Sequence, residues 1–291
     1  MTAASTVTGR SGHAGTVRVL NSGDLAAAVR ILSTRPVDNV FVASRVRGAG
    51  LDPNSLGCPM WGYERDGVLR SLCHAGSNLV PVGADQEAVD AYVEFAGPQR
   101  MCSSIIGPAE TAMALWRGLS DRWGQSWATV REVRPHQPVL AIDSEPRVVP
   151  NPYVRPVTLA EWEPYSEAAI KMYTEEVGVS PVQGNSAGYR FYVRQLISAG
   201  RAFGWIENGR VLFKADLGSV SATASQVQGV WLDPEFRGRG LAPAAMAAVV
   251  QQARAVAPVV SLYVNDFNHA ARATYRRVGF RQVSEFATIL Y

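Results

Sequence analysis

Apolar and polar positions along this chain alternate with two periods, and the switches between them divide it into short elements. Thr16–Leu20 reads as a strand, Asp24–Leu32 as an Ala-rich helix, and Val37–Arg47 as a second helix stopped at Gly48. Gly50–Pro59 reads as a loop. Met60–Arg65 and Val68–His74 flank Asp66-Gly67, a pair suited to a two-residue hairpin because both positions tolerate positive φ. Asn78–Val82 predicts a strand, Asp85–Phe95 a helix and Met101–Ile106 a strand. Pro108–Trp123 predicts a helix with proline in its first turn, and Trp127–Val133 a strand.

Asp143–Pro152, D-S-E-P-R-V-V-P-N-P, has the composition of a linker. The pattern then restarts with Tyr153–Val157 as a strand and Leu159–Glu176 and Tyr189–Ala199 as helices. Arg201–Glu207 and Val211–Leu217 flank Asn208-Gly209, a hairpin signal in the same slot as Asp66-Gly67. A strand ending at Leu232, a helix over Leu241–Val256, a strand over Val259–Asn265, a helix over Asn268–Val278 and a strand over Ser284–Tyr291 complete the chain. Both halves thus share one order: strand, two helices, three strands, helix, strand, helix, strand. The expected organisation is a flexible tail over 1–15, a domain over 16–142, a linker over 143–152 and a second domain over 153–291.

Composition narrows the function. Of 291 residues, 47% are hydrophobic and 18% charged, which suits a globular protein with a sizeable core. A net charge of +3, with no Lys/Arg block, gives no footprint for nucleic acid. Cys58, Cys73 and Cys102 are scattered, as are His13, His74, His136 and His269, so no metal site is expected. The first residues lack an apolar signal-peptide core, and no apolar run reaches the ~18 residues of a membrane span. The expected location is cytoplasmic, with no membrane partner.

The chemistry concentrates in Gln226–Ala242, Q-V-Q-G-V-W-L-D-P-E-F-R-G-R-G-L-A, a strand, a sharp turn and the start of a helix. The first amides of a helix lack intrahelical acceptors, and the helix dipole adds roughly half a positive charge there. Glycines let that backbone approach an anion closely, and Arg237 and Arg239 add fixed cations. A P-loop would need G-K-[ST], which is absent. A dinucleotide fingerprint would need a small residue at Pro243 and an acid further on, near Val259–Ser261, where none stands.

What remains is R-x-x-G-x-A. Arg237, Gly240 and Ala242 resemble the acyl-CoA pyrophosphate loop of the GNAT acetyltransferases, with Ala242 where glycine is more frequent. Downstream, V-S-L-Y-V-N-D-F-N-H-A-A-R-A-T-Y-R-R-V-G-F resembles the second signature of that family, with Asn268, Ala271, Tyr275, Gly279 and Phe280 at its spacing. The extra N-terminal half is similar to the arrangement of two-lobe actinobacterial acetyltransferases. The resemblance implies an α/β fold with a mixed, mostly antiparallel sheet flanked by helices, as a tandem of two GNAT-like lobes. It implies acetyl-CoA as cosubstrate, no metal, and a primary amine of a small molecule or protein as acceptor, with a homodimer left open. The first lobe carries Pro81–Asp85, P-V-G-A-D, at the loop position, an acid and no Arg-Gly pair, so acyl-CoA is expected only in the second.

Site roles follow from the same resemblance. The backbone of Val230, Trp231 and Leu232 would hold the pantetheine arm and polarise the thioester carbonyl, on a strand that Gly229 bulges. Arg237, Gly238, Arg239, Gly240, Leu241 and Ala242 would hold the diphosphate. Asn268 would contact CoA or cap its helix. Tyr275 would protonate the departing thiolate, a sensible transfer from a phenol of pKa about 10 to a thiol of about 8.5; the alternative is a core aromatic packed on Val278 and Phe280. A base is needed for the ammonium acceptor. Gln226 stands where several relatives carry a catalytic Glu and cannot accept that proton. Glu175 and Glu176 are the catalytic candidates, with Asp216 as a further acid, against the alternative of solvated charges or caps. Lys214 pairs with Asp216 or faces substrate. A non-catalytic acyl-CoA-binding module is the competing reading.

Overall fold

The two dipeptide signals make the turns they favour: Asp66 and Gly67 have φ of +54° and +71°, Asn208 and Gly209 +49° and +75°. Both central residues of such a turn are left-handed, which matches the twist of the flanking strands. The computed structural model describes residues 15–183 and 186–291; the tail expected over 1–15 lies outside the described residues except for Gly15. The first half runs β1 (Thr16–Val19), α1 (Leu25–Ser33), α2 (Val40–Ala49), α3 (Pro53–Leu56), β2 (Met60–Arg65), β3 (Val68–Ala75), β4 (Asn78–Val82), α4 (Gln86–Ala96), β5 (Ser104–Pro108), α5 (Ala109–Trp123), α6 (Gln125–Ala128) and β6 (Glu132–Ile142). The second runs β7 (Arg155–Pro156), α7 (Trp162–Val177), α8 (Ser186–Ser198), β8 (Ala202–Glu207), β9 (Arg210–Val220), β10 (Ala224–Leu232), α9 (Leu241–Arg254), β11 (Val259–Tyr263), α10 (His269–Val278) and β12 (Arg281–Leu290).

Three expectations are corrected. The stretch read as a loop, Gly50–Pro59, contains the helical turn α3, started by Asp52, whose carboxylate accepts from the amides of Asn54 and Ser55. The strand expected over Trp127–Val133 is instead α6 followed by β6, which begins at Glu132. Trp127 turns inward, its indole N–H donating to Gly97 O at 3.0 Å, which holds the α6 turn closed. β7 keeps only two residues of the expected Tyr153–Val157, because β8 pairs with it only at Arg155 and Pro156.

Twelve strands form one continuous sheet in the order β1-β2-β3-β4-β5-β12-β6-β11-β10-β9-β8-β7. Among the described residues only β4/β5 and β10/β11 pair in parallel. The centre of the order is an exchange. β6 comes from the first half yet lies between β11 and β12 of the second, and β12 lies between β5 and β6 of the first. Gln137 of β6 fixes the seam: its Nε2 donates to Asn265 Oδ1 at 2.8 Å, and its Oε1 accepts from the Thr288 hydroxyl at 2.6 Å. Both polar groups are buried, so these bonds satisfy atoms that would otherwise be costly in the interior.

Both faces of the sheet are covered, and neighbouring residues on a strand enter different cores. Leu72 and Val80 pack with α1 and α2 residues such as Ala28 and Val42; Cys73 and Leu79 pack with Val89 of α4 and Leu115 of α5. In the second half, Phe213 and Ala215 pack under Met246 and Val250 of α9, whereas Val211 and Trp231 pack under Tyr165 and Met172 of α7. Strands buried on both faces must be apolar almost throughout, which is why period-two alternation is weak in β9 and β10. No helix among the described residues is long and apolar enough to cross a membrane.

Candidate active site

The site begins where two parallel strands part. β10 and β11 pair only over Ala224–Gln226 against Val259–Ser261, although β10 continues to Leu232 and β11 to Tyr263. Beyond Gln226 the register of β10 against β9 breaks between Gln228 and Trp231. Gly229 sits in that bulge at φ +58°. A Cβ there would stand 2.9 Å from Lys214 Nζ and 3.0 Å from Asp216 Oδ2, so glycine is required both for its conformation and for its size.

Those two neighbours hold the bulge from behind. Lys214 is 0% exposed; its Nζ donates to Asp216 Oδ2 at 2.6 Å and to Gly229 O at 2.9 Å. The Tyr165 hydroxyl donates to Asp216 Oδ1 at 2.7 Å, and Lys214 Nζ lies 5.2 Å from the centre of the Tyr165 ring. Burial and the Asp216 charge push the Tyr165 phenol far up, so it stays a donor. Of the two expectations for Lys214, pairing with Asp216 is the one observed. This ion pair holds the Gly229 carbonyl at the point where the β10/β9 register shifts.

The loop after β10 leads into α9 with its amides open. Gly238 and Gly240 have φ of +75° and +73°. Among the described residues, the backbone N–H groups of Gly238, Arg239, Gly240, Leu241 and Ala242 have no acceptor. The contrast with the first half is local: at α4 the Asp85 carboxylate caps the helix, accepting from Ala88 N at 3.0 Å, and occupies the position an anion would take. Arg237 is partly neutralised, because its Nη2 reaches Glu175 Oε2 at 2.7 Å while its Nε donates to Leu232 O at 2.9 Å. Arg239 forms no ion pair among the described residues and lies over Phe236, 5.3 Å from the ring centre. A Cβ at Gly240 would meet nothing within 4 Å, so Gly240→Ala acts through conformation alone. A left-handed alanine costs about 1–2 kcal/mol. The dissociation constant for acetyl-CoA is expected to rise about 5- to 30-fold by calorimetry, the equilibrium factor for that energy; an unchanged value would place the anion elsewhere.

α10 positions the phenol. Asn268 caps it, its Oδ1 accepting from Ala271 N at 3.1 Å. At the other end Gly279, at φ +119°, closes the helix: Phe280 N donates to Tyr275 O at 3.0 Å and Gly279 N to Arg276 O at 3.2 Å. This is a Schellman closure, and its apolar contact is the Tyr275–Phe280 ring pair, 5.8 Å between centres. The spacing Y-x-x-x-G-F therefore fixes the direction of Tyr275, which is 7% exposed. Burial raises the phenol well above its ordinary value, with the Glu176 charge adding to it, so Tyr275 stays protonated throughout the neutral range.

The candidate acids separate. Asp216 is held by Lys214 and Tyr165. Glu175 accepts from Trp231 Nε1 at 3.2 Å as well as from Arg237, tying the end of α7 to β10 and the loop. Glu176 is exposed, forms no ion pair among the described residues, and its charge is felt at Tyr275. Gln226 is buried at the last paired position before the strands part. Three further residues escaped the sequence reading: the Tyr192 hydroxyl, on α8, accepts from Gln228 Nε2, and Tyr173 and Tyr189 meet edge-on at 5.6 Å. Helical spacing alone makes such tyrosines indistinguishable from core. A cavity of about 390 Å³ is lined by Glu167, Lys171, Arg210, Trp231 and Asp233, and neither Tyr275 nor Glu176 lines it.

This half of the chain thus carries a bulged strand parted from its parallel neighbour, an uncapped helix start and a buried phenol. Residues 157–280 match the model of the acetyltransferase (GNAT) family. Residues 58–165 match a domain of unknown function (DUF4081). No functionally curated protein matches the sequence. Among solved structures, a GNAT-family acetyltransferase from Colwellia psychrerythraea is 10% identical with TM-score 0.56, covering 95% of this chain and 99% of that one. A GCN5-related N-acetyltransferase from Sphaerobacter thermophilus is 16% identical with TM-score 0.55 and 95% coverage of each chain. A tandem GNAT protein from the clavulanic acid biosynthesis pathway is 12% identical with TM-score 0.51, covering 94% of this chain and 98% of that one. At such identities these similarities describe the fold, and the tandem arrangement is part of it.

Proposed function

We propose that the protein transfers an acetyl group from acetyl-CoA to a primary amine of a small molecule or a protein, in the half spanning 153–291. The observation that carries this reading is the run of five acceptor-free amides from Gly238 to Ala242, directly after a strand parted from its neighbour. Those amides, with Arg239, fit a diphosphate, and the backbone of Val230–Leu232 beyond the bulge fits the arm that follows it. Glu176 would take the proton of the acceptor ammonium, directly or through water, so that the amine attacks the thioester carbonyl. Backbone donors on β10 would steady the oxyanion, and Tyr275 would deliver its proton to the thiolate as the carbon–sulfur bond breaks.

Calorimetry with acetyl-CoA tests the binding half: one molecule per chain is expected, because Asp85 caps the equivalent helix of the first half. No heat of association in folded protein would overturn the proposal. Gln226, in place of a carboxylate, favours one second reading, an acyl-CoA-binding module without turnover. Free-thiol release across panels of amines separates the two, since the module would bind and release nothing.

A further inference from the structure

Outside the site above, one pair of side chains is arranged for chemistry. Cys58 Sγ, just before β2, lies 3.2 Å from His74 Nε2 near the end of β3. The other ring nitrogen, Nδ1, is 3.1 Å from Asn78 O. A carbonyl can only accept, so Nδ1 carries the hydrogen and Nε2 presents its lone pair to the thiol. Asn78 is itself fixed, its Oδ1 accepting from the Ser104 hydroxyl at 2.7 Å. His74 is buried, and Phe41 of α2 meets its ring edge-on at 5.4 Å. Cys58 is half-buried and thus reachable, whereas Cys73 and Cys102 are buried.

The backbone at Gly76 packs closely on this pair. A Cβ there would stand 2.8 Å from His74 Cε1 and 3.1 Å from Cys58 Sγ, so only glycine fits without displacing the ring or the thiol. Charge is also present: Arg45 of α2 lies over Phe41, 5.2 Å from its centre, exposed and without an ion-pair partner among the described residues. Its field lowers both Cys58 and His74, while burial raises the thiol and lowers the imidazole. The resting pair is therefore neutral, with the proton on sulfur and a base already aimed at it.

We propose that Cys58 and His74 form a base-assisted thiol site that exchanges with small, negatively charged disulfides. His74 Nε2 takes the Cys58 proton as sulfur attacks one sulfur of R–S–S–R. The old sulfur–sulfur bond breaks, a Cys58–S–S–R bond forms, and the leaving thiolate receives the proton as R–SH. The small disulfide is the oxidant, and Arg45 selects for its negative charge. α2 carries Phe41 and Arg45 and also contacts the second half, where Ser44 Oγ accepts from Val220 N at 3.2 Å, so an adduct would sit at the seam of the halves.

The test uses the full native chain with two aliphatic probes, the dianionic disulfide of 3-mercaptopropionate and the dicationic disulfide cystamine, each rate divided by that of free N-acetylcysteine with the same probe so that leaving-group differences cancel. One adduct is expected by intact mass, mapped to Cys58, and the anionic probe reacts faster. His74→Gln is expected to slow the reaction about a hundredfold, the low end of what a positioned base contributes. Gly76→Ala slows it by crowding ring and sulfur. The exposed Arg45→Gln keeps the fold and removes the preference for the anionic probe, which serves if the His74 variant misfolds. Labelling at Cys73 or Cys102 instead, equal rates for both probes in the native protein, or an unchanged rate in folded His74→Gln would overturn the proposal.

Discussion

Lys214→Met is expected to destabilise the protein by about 3–5 kcal/mol, the usual cost of removing one partner from a buried ion pair. Asp216 would keep only the Tyr165 hydroxyl, and the Gly229 carbonyl would lose its donor. Thermal melting should fall on the order of 10 °C. The double variant Lys214→Met/Asp216→Leu should recover most of that loss, because no uncompensated charge remains. It should not recover acetyl-CoA binding, since the carbonyl of Gly229 is still unheld and the bulge can relax. A single variant that melts with the parent protein would show that the pair contributes nothing to this strand.

Tyr275→Phe is the second large effect, and it falls on rate. The ring keeps its packing against Phe280 and Val278, so stability should change by less than about 1 kcal/mol. Removing the hydroxyl removes the proton donor for the thiolate, and kcat should drop about a hundredfold while KM for acetyl-CoA hardly moves. Thiol release followed against acetyl-CoA concentration gives both numbers. An unaltered kcat would leave Tyr275 as a core aromatic.

Much of this was legible in local sequence, where local physics decides. Asp66-Gly67 and Asn208-Gly209 name their turn type because few residues accept two positive φ values in succession. Y-x-x-x-G-F encodes its own helix closure, and Gly229 its bulge. β6 is poorly legible in the sequence because Pro135 and Pro138 argue against a central strand. The sheet accommodates them at irregularities: Pro135 and His136 stand against Ala287 alone, and β12 bulges at Val283 near Pro138. Nor does the order of elements reveal strand neighbours, so the β6/β12 exchange was invisible. The sorting of Glu175 from Glu176 depends on which way each points at the end of α7, and adjacent identical residues carry no signal for that.

The exchange of β6 and β12 makes the peptide between the halves dispensable for cohesion. A protease nick within 143–152 would yield two fragments, each clasping the other's last strand through backbone ladders on both sides. Such fragments should elute together and separate only in denaturant. Each alone would present a vacant slot in its sheet, so either half expressed by itself should aggregate or trap a second copy to fill the gap.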